Sequence, residues 1–473
     1  IFTGILLLIL LGMGRGYAQL LKLEPMTDGH TGGENSVIAD NDRRETDTSA
    51  GYIMVRHILV SGNKKTRTAI ILRDLGLHTG DTLSLRNIRA LLEERRQQLL
   101  NTSLFLTVNV FLKNEADKQA DVAVEVIERW YIFPFPIFSI ADRNFNVWWV
   151  EENHSLSRVN YGLNIYHNNL TGKNDQLIFT FQNGYTRKYA LTYNLPYFDR
   201  GLHQGLGFTI GYNRNREVNY ITDTNKLSFF KRDYFIKKAF YAGVSYTYKK
   251  AIRLKHQVSL TYNFETVADT VLKLNPGFFP DNNPSQRYMD LFYRFTYIGA
   301  DSWAYPLHGF NISASAERKG FGIFSKVNQT SFSFTGSEYW QLFDKTYAAA
   351  GLRGQVSLPF SQPYFLIHGM GYEEDYLRGL EYYVMNSDAF GILKTDLKHE
   401  ILAFKIRTYL LPKQFATIPI HIYAKIFGDM GYAYSSYPGN SRLNNKMLYS
   451  GGFGIDIVPF TISASALNTV SIN

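Results

Sequence analysis

The sequence predicts a membrane-spanning all-β fold, a sixteen-stranded antiparallel barrel, preceded by one small α+β domain. Aromatic residues make up 15% of the 473 residues, with 33 Tyr and 34 Phe, and such residues favour half-buried strands and bilayer interfaces. From Val159 onward, apolar and polar residues alternate with a period of two, which is typical of strands. The mean hydropathy of −0.19 agrees with a barrel, because outward apolar and inward polar residues cancel in a window average.

The composition excludes two classes of protein and disfavours a third. The chain has no Cys and 45% apolar residues, so it is neither a disulfide scaffold nor a disordered chain. Its formal net charge is +9, but no stripe of Lys and Arg accompanies a nucleic-acid-binding motif. We therefore expect no nucleic-acid partner.

The N-terminus predicts export. Residues 1–11 form an apolar run that is too short to span a bilayer as a helix, and the small residues Gly16 and Ala18 follow it. We therefore expect a signal peptide over residues 1–18, with a buried core helix as the alternative. Residues 19–50 are polar and rich in Gly, Asp, Thr and Asn without a period, so they predict a flexible linker.

Residues 51–130 predict a compact α+β domain with the element order β-α-α-β-β. Two stretches with helical spacing of apolar residues lie between segments that alternate with a period of two. The predicted elements are a strand over Tyr52–Val60, a helix over Thr66–Leu75 that stops at Gly76, a second helix capped by Ser84, and strands over Leu104–Phe111 and Asp121–Ile127.

Residues 131–473 predict the barrel. One strand shows the pattern clearly, since apolar or aromatic residues occupy alternate positions at Phe240, Ala242, Val244, Tyr246 and Tyr248. A soluble two-sheet sandwich shows the same alternation. However, the predicted strands have ten or more residues and aromatic residues at their ends, and their number is too large for a two-sheet core, which favours a membrane barrel. About fifteen segments are bounded by turn signals, and such barrels normally close with an even number of strands. We therefore expect a sixteenth, closing strand after the last segment, Thr461–Ile472.

The N-terminal domain resembles a polypeptide-transport-associated (POTRA) domain, with another small α+β domain as the alternative. The resemblance lies in the element order, in Val60-Ser61-Gly62-Asn63 closing the first strand and in Leu104-Phe105 opening the strand after the second helix. The chain from about Tyr52 to Asn473 resembles the superfamily of POTRA-bearing outer-membrane transporters, which includes the BamA- and TamA-like assembly factors (bacterial surface antigens) and their two-partner-secretion relatives.

Two early barrel segments carry part of this resemblance. The first is Asn169-Leu170-Thr171-Gly172 followed by two strands and Leu195-Pro196-Tyr197-Phe198, which is similar to the first hairpins of the family and its extracellular turn after strand three. The second is Asp301 to Gly309, with Tyr305-Pro306 inside, which is similar to a family turn that runs from an aspartate to a proline.

Two short motifs are more specific. Leu377-Arg378-Gly379-Leu380 is similar to the family sequence (V/I)RG(F/Y), which lies in a long loop that folds back into the barrel lumen. Phe427-Gly428-Asp429-Met430-Gly431 is similar to the family sequence (F/G)xDxG on the thirteenth strand. The resemblance implies that the loop arginine pairs with carboxylates on the lumen wall. Leu380 departs from the family pattern, because it replaces the aromatic residue.

The alternation of the strands indicates which carboxylates face the lumen. Asp429 lies on the polar face of its strand, and Asp396 and Glu400 share the polar face of the preceding one. Either of these two could meet Arg378, whose planar guanidinium holds carboxylates bidentately. An ordinary loop arginine and a turn aspartate are the alternative. The predicted loop-to-wall contact comprises Arg378, Gly379, Asp396, Glu400, Asp429 and Gly431.

The sequence contains no G-x-S-x-G motif, no metal-spaced His cluster and no phosphate-binding loop before a helix. We therefore expect no enzymatic activity, no cofactor and no metal site.

The resemblance implies an outer-membrane protein, with its POTRA domain in the periplasm, that inserts or translocates other polypeptides. An exposed strand edge, either Leu104–Phe111 with Leu104, Leu106 and Val108 or Tyr52–Val60, would capture an extended client through main-chain hydrogen bonds. The barrel wall would then open between strand one, near Val159–His167, and the closing strand.

The expected partners are outer-membrane lipid and lipopolysaccharide, unfolded outer-membrane or secreted client polypeptides, and accessory lipoproteins. The alternatives are a passive pore or surface receptor, and a transporter dedicated to one secreted partner. A single POTRA domain disfavours the general role, because general assembly factors of this superfamily usually carry several.

Overall fold

The computed structural model describes residues 22–25, 51–199, 201–251, 253–302, 305–372, 375–407, 417–459 and 470–472. The predicted signal peptide (1–18), nearly all of the predicted linker (19–50) and most of the last predicted strand, Thr461–Ile472, lie outside the described residues. In these ranges, no helix is long and apolar enough to cross a membrane.

The N-terminal domain is a four-stranded sheet with two helices. Its strands lie in the order β3-β2-β5-β4, and β2 runs parallel to β5. In chain order, after the short strand β1 (Lys22–Pro25), the elements are β2 (Tyr52–Ser61), α1 (Thr68–Leu75), β3 (Thr82–Ser84), α2 (Ile88–Asn101), β4 (Phe105–Ala116) and β5 (Gln119–Glu128).

The second helix begins later than the sequence predicts. Ser84, the expected cap, pairs with Tyr52 in the β2–β3 ladder, and the helix starts at Ile88 after Asn87. The first helix ends at Gly76, which adopts the left-handed conformation (φ 64°) and donates its backbone N–H to the Leu72 carbonyl. Glycine suits this position because it has no Cβ to clash there.

The core of this domain lies between the sheet and the two helices. Val122 and Val124 of β5 have no exposed surface, and neither have Ile71 and Leu75 of α1. Gly62 follows β2 with φ 86°, and a Cβ at this position would lie 2.0 Å from the Val126 carbonyl oxygen. The close approach of the chain to β5 at this turn therefore requires glycine.

A second, much larger antiparallel sheet follows. Its fifteen-strand path runs from β6 to β22 and omits only the hairpin β11–β12, while β1 pairs with β19 off the path. The strands are β6 (Ile132–Ile140), β7 (Val159–Asn168), β8 (Gln176–Gly184), β9 (Thr186–Leu195), β10 (Gln204–Asn215), β11 (Glu217–Asp223), β12 (Lys226–Lys231), β13 (Lys237–Ala251), β14 (Leu254–Val267), β15 (Ser285–Ile298), β16 (Gly309–Lys319), β17 (Gln329–Phe343), β18 (Thr346–Leu358), β19 (Ala389–Arg407), β20 (Thr417–Tyr434), β21 (Met447–Pro459) and β22 (Val470–Ile472). A short helix, α3 (Asp269–Leu274), follows β14.

The first strand of this sheet is β6, so the expectation that strand one lies near Val159–His167 is wrong. That segment is β7, the second strand. In consequence β20, which carries Asp429, is the thirteenth strand of the path.

The sheet curls into a barrel. The turn between β15 and β16 reaches the fourteenth strand, where the Tyr305 hydroxyl donates to Asp456 of β21 at 2.9 Å. Similarly, Arg143, between the first two strands, donates to the Tyr382 carbonyl, between the eleventh and twelfth, at 2.6 Å. A flat sheet would hold these strands tens of ångströms apart, since neighbouring strands are about 4.8 Å apart.

One face of the wall is apolar and exposed. Phe208, Val244, Leu260 and Leu291 are cross-strand neighbours on four successive strands and are 50, 48, 38 and 40% exposed. Their immediate neighbours along the strands are small or polar and form the row on the opposite face of the sheet: Thr209, Gly243, Thr261 and Asp290. A continuous outward apolar band around a polar interior is typical of a barrel that contacts lipid.

The N-terminal domain lies at the end of the barrel where β7 turns into β8. The Asn169 amide donates to the Thr66 hydroxyl at 2.8 Å, and the Arg67 backbone N–H donates to the Gly172 carbonyl at 3.0 Å. We call this the near end. Because antiparallel strands alternate in direction, every second turn lies there.

The turn at Leu195–Phe198 also lies at the near end, and its expected place after strand three is wrong. It follows the fourth strand, and the Arg73 guanidinium of the N-terminal domain lies 5.8 Å from the centre of the Tyr197 ring.

Two glycines of the N-terminal domain provide a matched test of its packing. Gly80 has φ 91°, and no atom of the described residues lies within 4 Å of the place that a Cβ would occupy, whereas Gly62 has the carbonyl clash described above. We expect Gly80→Ala to cost about 1–2 kcal/mol from backbone strain, and Gly62→Ala to cost about 1–3 kcal/mol more from overpacking. Urea-dependent protease susceptibility of the domain in the full chain measures both; equal losses would contradict the role of the close contact.

Candidate functional site

A long loop, residues 359–388, connects β18 to β19 at the far end and folds back against the wall; we call it the tether loop. Its residues Met370 and Leu377 have no exposed surface, and they pack with Met385, Phe390, Ile392 and Ala433 in one apolar cluster. Because Phe390, Ile392 and Ala433 belong to β19 and β20, this cluster attaches the loop to the twelfth and thirteenth strands.

Arg378 lies at the centre of the contact between the tether loop and the wall. Its Nε donates to Asp429 at 2.8 Å, and its Nη2 bonds to the other oxygen of the same carboxylate. The Arg378 backbone N–H also donates to Asp429, at 3.1 Å. Nη1 bonds to Asp396, and Nη2 lies 3.3 Å from the Thr395 carbonyl. The guanidinium carbon lies 4.0 Å from the centre of the Phe427 ring.

The alternation of β19 and β20 brings these acids to the same place. Asp429 of β20 is directly opposite Lys394 of β19, and Asp396 is two residues farther along. The Asp429 side chain has no exposed surface, and those of Arg378 and Asp396 are 10% and 21% exposed. Two carboxylates therefore face one guanidinium here.

The two predicted glycines have distinct roles. Gly379 adopts φ 86°, and its backbone N–H donates to the Glu381 carboxylate at 2.9 Å, which turns the loop directly after Arg378. Gly431 lies under the loop, where a Cβ would come within 3.0 Å of the Leu377 side chain. Leu380 packs against the apolar cluster, as do Leu443 and Leu448, so an aliphatic residue replaces the aromatic of the family motif without leaving the interface.

Glu400 does not contribute to this site. Its carboxylate is hydrogen-bonded to His421 Nδ1 at 2.8 Å. Glu400 shares a strand face with Asp396 but lies four residues nearer the N-terminal domain, which is about 13 Å along a strand. The distance along β19 therefore decides between the two carboxylates that the sequence left open.

A cap covers the tether loop at the far end. It comprises the first connection (141–158), the region around hairpin β11–β12 (216–236), helix α3 and the connection 435–446. Asn144 donates to the Glu381 carbonyl at 2.9 Å, beside the Arg143 contacts. Asn225, at the tip of the hairpin, accepts the Val384 backbone N–H at its carbonyl at 2.8 Å and donates its side-chain amide to the Val384 carbonyl at 3.0 Å.

A second buried arginine holds the cap together. Arg158 is 5% exposed and bonds to Asp142 and Glu217, with its guanidinium carbon 4.7 Å from the centre of the Phe229 ring. Burial alone would lower the pKa of Arg158, but the hydrogen bond to Asp142 and the charge of Glu217 raise the pKa above its ordinary value. The guanidinium therefore remains charged.

Sequence reasoning missed Arg143, Arg158 and Asn225. Each has a hydrogen-bond partner 59 to 239 positions away in the sequence. None of the three lies in a recognisable motif. Only the hairpin had a weak sequence signal, because asparagine favours the positive φ of a short hairpin turn. In the structure, Thr224 and Asn225 both adopt positive φ.

The predicted client-binding edge is partly changed by the structure. Strand β4 is an edge strand, and β2 is paired on its other side only from Tyr52 to Val55, so the alternative edge at Tyr52–Val60 stays a prediction for the later residues of that strand. Leu104 and Val108 point into the domain core with 2% and no exposure, whereas Leu106 is 63% exposed. On β4, the main chain and the exposed side chains of Leu106, Thr107, Asn109 and Phe111 are available to a partner strand.

The contacts described above fix the positions of the tether loop and the cap. Within the described part of the chain, no group of three or more His, Cys, Asp or Glu residues is placed to hold a metal ion. The Arg378 contact immobilises a loop through charge-assisted hydrogen bonds.

Comparisons with known proteins agree with the architecture. Residues 53–129 match the POTRA family model, described as surface antigen variable number repeat, so the N-terminal domain is a POTRA domain. BamA from Haemophilus ducreyi lacking POTRA domains 1–3 superposes with a TM-score of 0.60 at 15% identity, covering 87% of this chain and 82% of that one. CdiB from Acinetobacter baumannii gives 0.48 at 14% identity, covering 86% and 68%. No curated protein matches the chain. The predicted fold class, a POTRA-bearing barrel of BamA-like fold, is confirmed.

Substitution of Arg378 tests the tether. Arg378→Ala leaves Asp429 buried without its partner, which we expect to cost roughly 3–5 kcal/mol and to expose residues 359–388 to protease. Lys326→Ala removes an ion pair on another connection whose side chains are 77% and 51% exposed, and it should cost less than about 1 kcal/mol. Urea titration in lipid vesicles, read by gel mobility without boiling, measures both losses. Equal small losses would contradict a buried tether.

Proposed function

We propose that this chain is an outer-membrane protein that inserts or translocates other polypeptides, with its POTRA domain in the periplasm. The observation that carries the proposal is the combination of a tether loop and cap across the far end of the lumen with a wall strand, β6, that has no strand partner on one side within the described residues. A polypeptide route at the side of the barrel is therefore favoured over an axial one.

The orientation follows from the two ends of the barrel. The outward apolar band would lie in the hydrocarbon layer and contact lipid and lipopolysaccharide. The POTRA domain is anchored to near-end turns through Thr66 and Arg67, so the near end would face the periplasm. The cap would then face the cell exterior.

Client capture is assigned to β4 of the POTRA domain. This strand pairs with β5 on one side only, so its other edge offers main-chain donors and acceptors to an extended segment. Leu106, exposed beside that edge, would contact an apolar client residue. Accessory lipoproteins would dock on the same domain.

A passive pore or receptor is the alternative of a different class. The tether loop and cap disfavour the pore, because conduction would require the Arg378 contact and the cap contacts to separate. A transporter dedicated to one secreted partner uses the same geometry as a general insertion factor, and only the range of clients distinguishes them.

Proline substitution tests strand addition at β4. The Met54 N–H donates to the Lys118 carbonyl, so even-numbered residues of β5 bond to β2 and odd-numbered residues bond to β4. Val110 of β4 lies opposite Val124, so its own N–H turns to the free edge. Val110→Ala should leave client crosslinking to the POTRA domain nearly unchanged. Val110→Pro removes a backbone donor from the free edge and restricts φ, and we expect it to reduce crosslinking several-fold. Protease resistance of the domain provides the control for folding. Equal crosslinking by a folded proline variant and the alanine variant would reject capture through main-chain hydrogen bonds.

Depletion of the protein tests the proposed role itself. We expect quantitative proteomics of the outer membrane to show loss of several other barrel proteins. Loss of a single secreted protein would assign the dedicated role. Unchanged abundance of all other proteins, together with ion conductance of the purified protein in planar bilayers, would favour the pore.

A further inference from the structure

Four basic residues lie close together at the far end of the barrel, three of them around one aromatic ring. The guanidinium carbons of Arg187, Arg214 and Arg216 lie 5.1, 4.1 and 5.1 Å from the centre of the Phe235 ring, in the connection between β12 and β13. No two of these carbons are more than about 10 Å apart, which is close to the distance over which dilute salt screens charges. We call these three arginines and the exposed Lys238 the cation cluster.

The cation cluster lies on the outward face of the wall. Arg187 of β9 is directly opposite Arg214 of β10, which is in turn directly opposite Lys238 of β13. Ile210 lies four residues before Arg214, hence on the same face of β10, and it is 47% exposed in the outward apolar band. One aromatic row separates the cations from that band: Tyr189, Tyr212 and Phe240. Aromatic residues favour the membrane interface, so the cations beyond them lie at the level of lipid headgroups.

The acids beside the cation cluster are engaged elsewhere. Glu217 and Glu265, which flank the cluster in the chain and in the sheet, pair with Arg158 and with Lys237. In the described ranges, no carboxylate lies within ion-pair distance of the four cations. The Nε of Arg214 is buried and has no hydrogen-bond partner in this part of the chain. The cluster therefore has positive charge and hydrogen-bond donors that only a ligand could satisfy.

The charge of the cation cluster matches two phosphate groups. The connection 232–236 adds Arg232 and Asp233, whose charges cancel, so the cluster keeps its four positive charges. A phosphomonoester carries about 1.5–2 negative charges at neutral pH, and two of them would balance the four cations. A guanidinium can hold phosphate oxygens through two parallel N–H bonds. Cation–π attraction to Phe235 keeps three such groups together despite their repulsion.

We propose that the cation cluster is a binding site for a membrane lipid whose headgroup carries two phosphomonoesters. The acyl chains of this lipid would lie on the aromatic row and the apolar band below it, while its phosphates contact the cluster. The proposal rests on the proposed function in one respect, the orientation of the barrel. With the near end in the periplasm, the lipid belongs to the outer leaflet, where the lipid A part of lipopolysaccharide has this chemistry.

Lipid binding to the purified full-length chain in detergent micelles tests the proposal. Native mass spectrometry counts bound molecules while bisphosphorylated lipid A, monophosphorylated lipid A and inorganic pyrophosphate are titrated separately. We expect one saturable site that binds the bisphosphorylated lipid about tenfold more tightly than the monophosphorylated one, since the second phosphate adds at least one charge-assisted contact. Equal affinity for the two lipids would overturn the assignment of two phosphates. Equally tight binding of pyrophosphate would overturn the assignment to a lipid.

A double variant and a matched control locate the site. Arg187→Gln/Arg214→Gln should weaken binding of bisphosphorylated lipid A by about tenfold or more and remove the preference for the second phosphate. Arg287 is also an exposed cation at the far end, 5.0 Å from the Phe264 ring, but it has no second guanidinium at its ring, so Arg287→Gln should leave binding unchanged. Gel mobility without boiling verifies that both variants fold. Unchanged binding by the folded double variant, or an equal loss in Arg287→Gln, would overturn the site.

Binding in micelles depends neither on which end of the barrel faces the exterior nor on clients. Absence of lipid binding would therefore leave the outcome of depletion untouched, and unchanged outer-membrane proteins after depletion would leave the binding result untouched. The failure of this proposal and the failure of the proposed function are thus distinguishable.

Discussion

The contact of Arg378 with Asp429 and Asp396 joins the three parts of the barrel. Its guanidinium lies on the tether loop, its acids lie on the twelfth and thirteenth strands, and the cap is bonded to the same loop a few residues later, at Glu381 to Val384. A buried charge without its partner costs several kcal/mol, so loop, wall and cap are held in one arrangement.

Part of this arrangement could be predicted from the sequence because it depends on local pattern. The outward band follows from strict alternation in strands such as β13, and Arg378 and Asp429 lie in short motifs whose residues have a specific task. The choice between Asp396 and Glu400 could not be made, because a period of two assigns a face but not a position along the strand relative to a distant loop. The contacts of Arg143 and Asn225 were not predictable for the same reason, since nothing local marks their partners.

One omission explains two errors. Strand β6 does not alternate: Phe133 and Phe135 occupy one face, and Pro134 and Pro136 the other. A pattern search therefore passes over it and takes β7 as the first strand. The offset of one strand also shifts the strand that each turn follows, and the turn at Leu195–Phe198 was thus expected after strand three although it follows strand four. Pro134 and Pro136, together with the two phenylalanines, therefore explain why pattern analysis missed the strand.

The cap binds the tether loop mainly through side-chain donors that bond to main-chain carbonyl oxygens of the loop, those of Glu381, Tyr382 and Val384. A carbonyl is the same whichever side chain its residue carries. Tyr382 and the exposed Tyr383 can therefore be replaced over evolutionary time without loss of these hydrogen bonds. If this end faces the outside world, the protein can vary the chemistry that antibodies and phages encounter while its internal fastening stays constant.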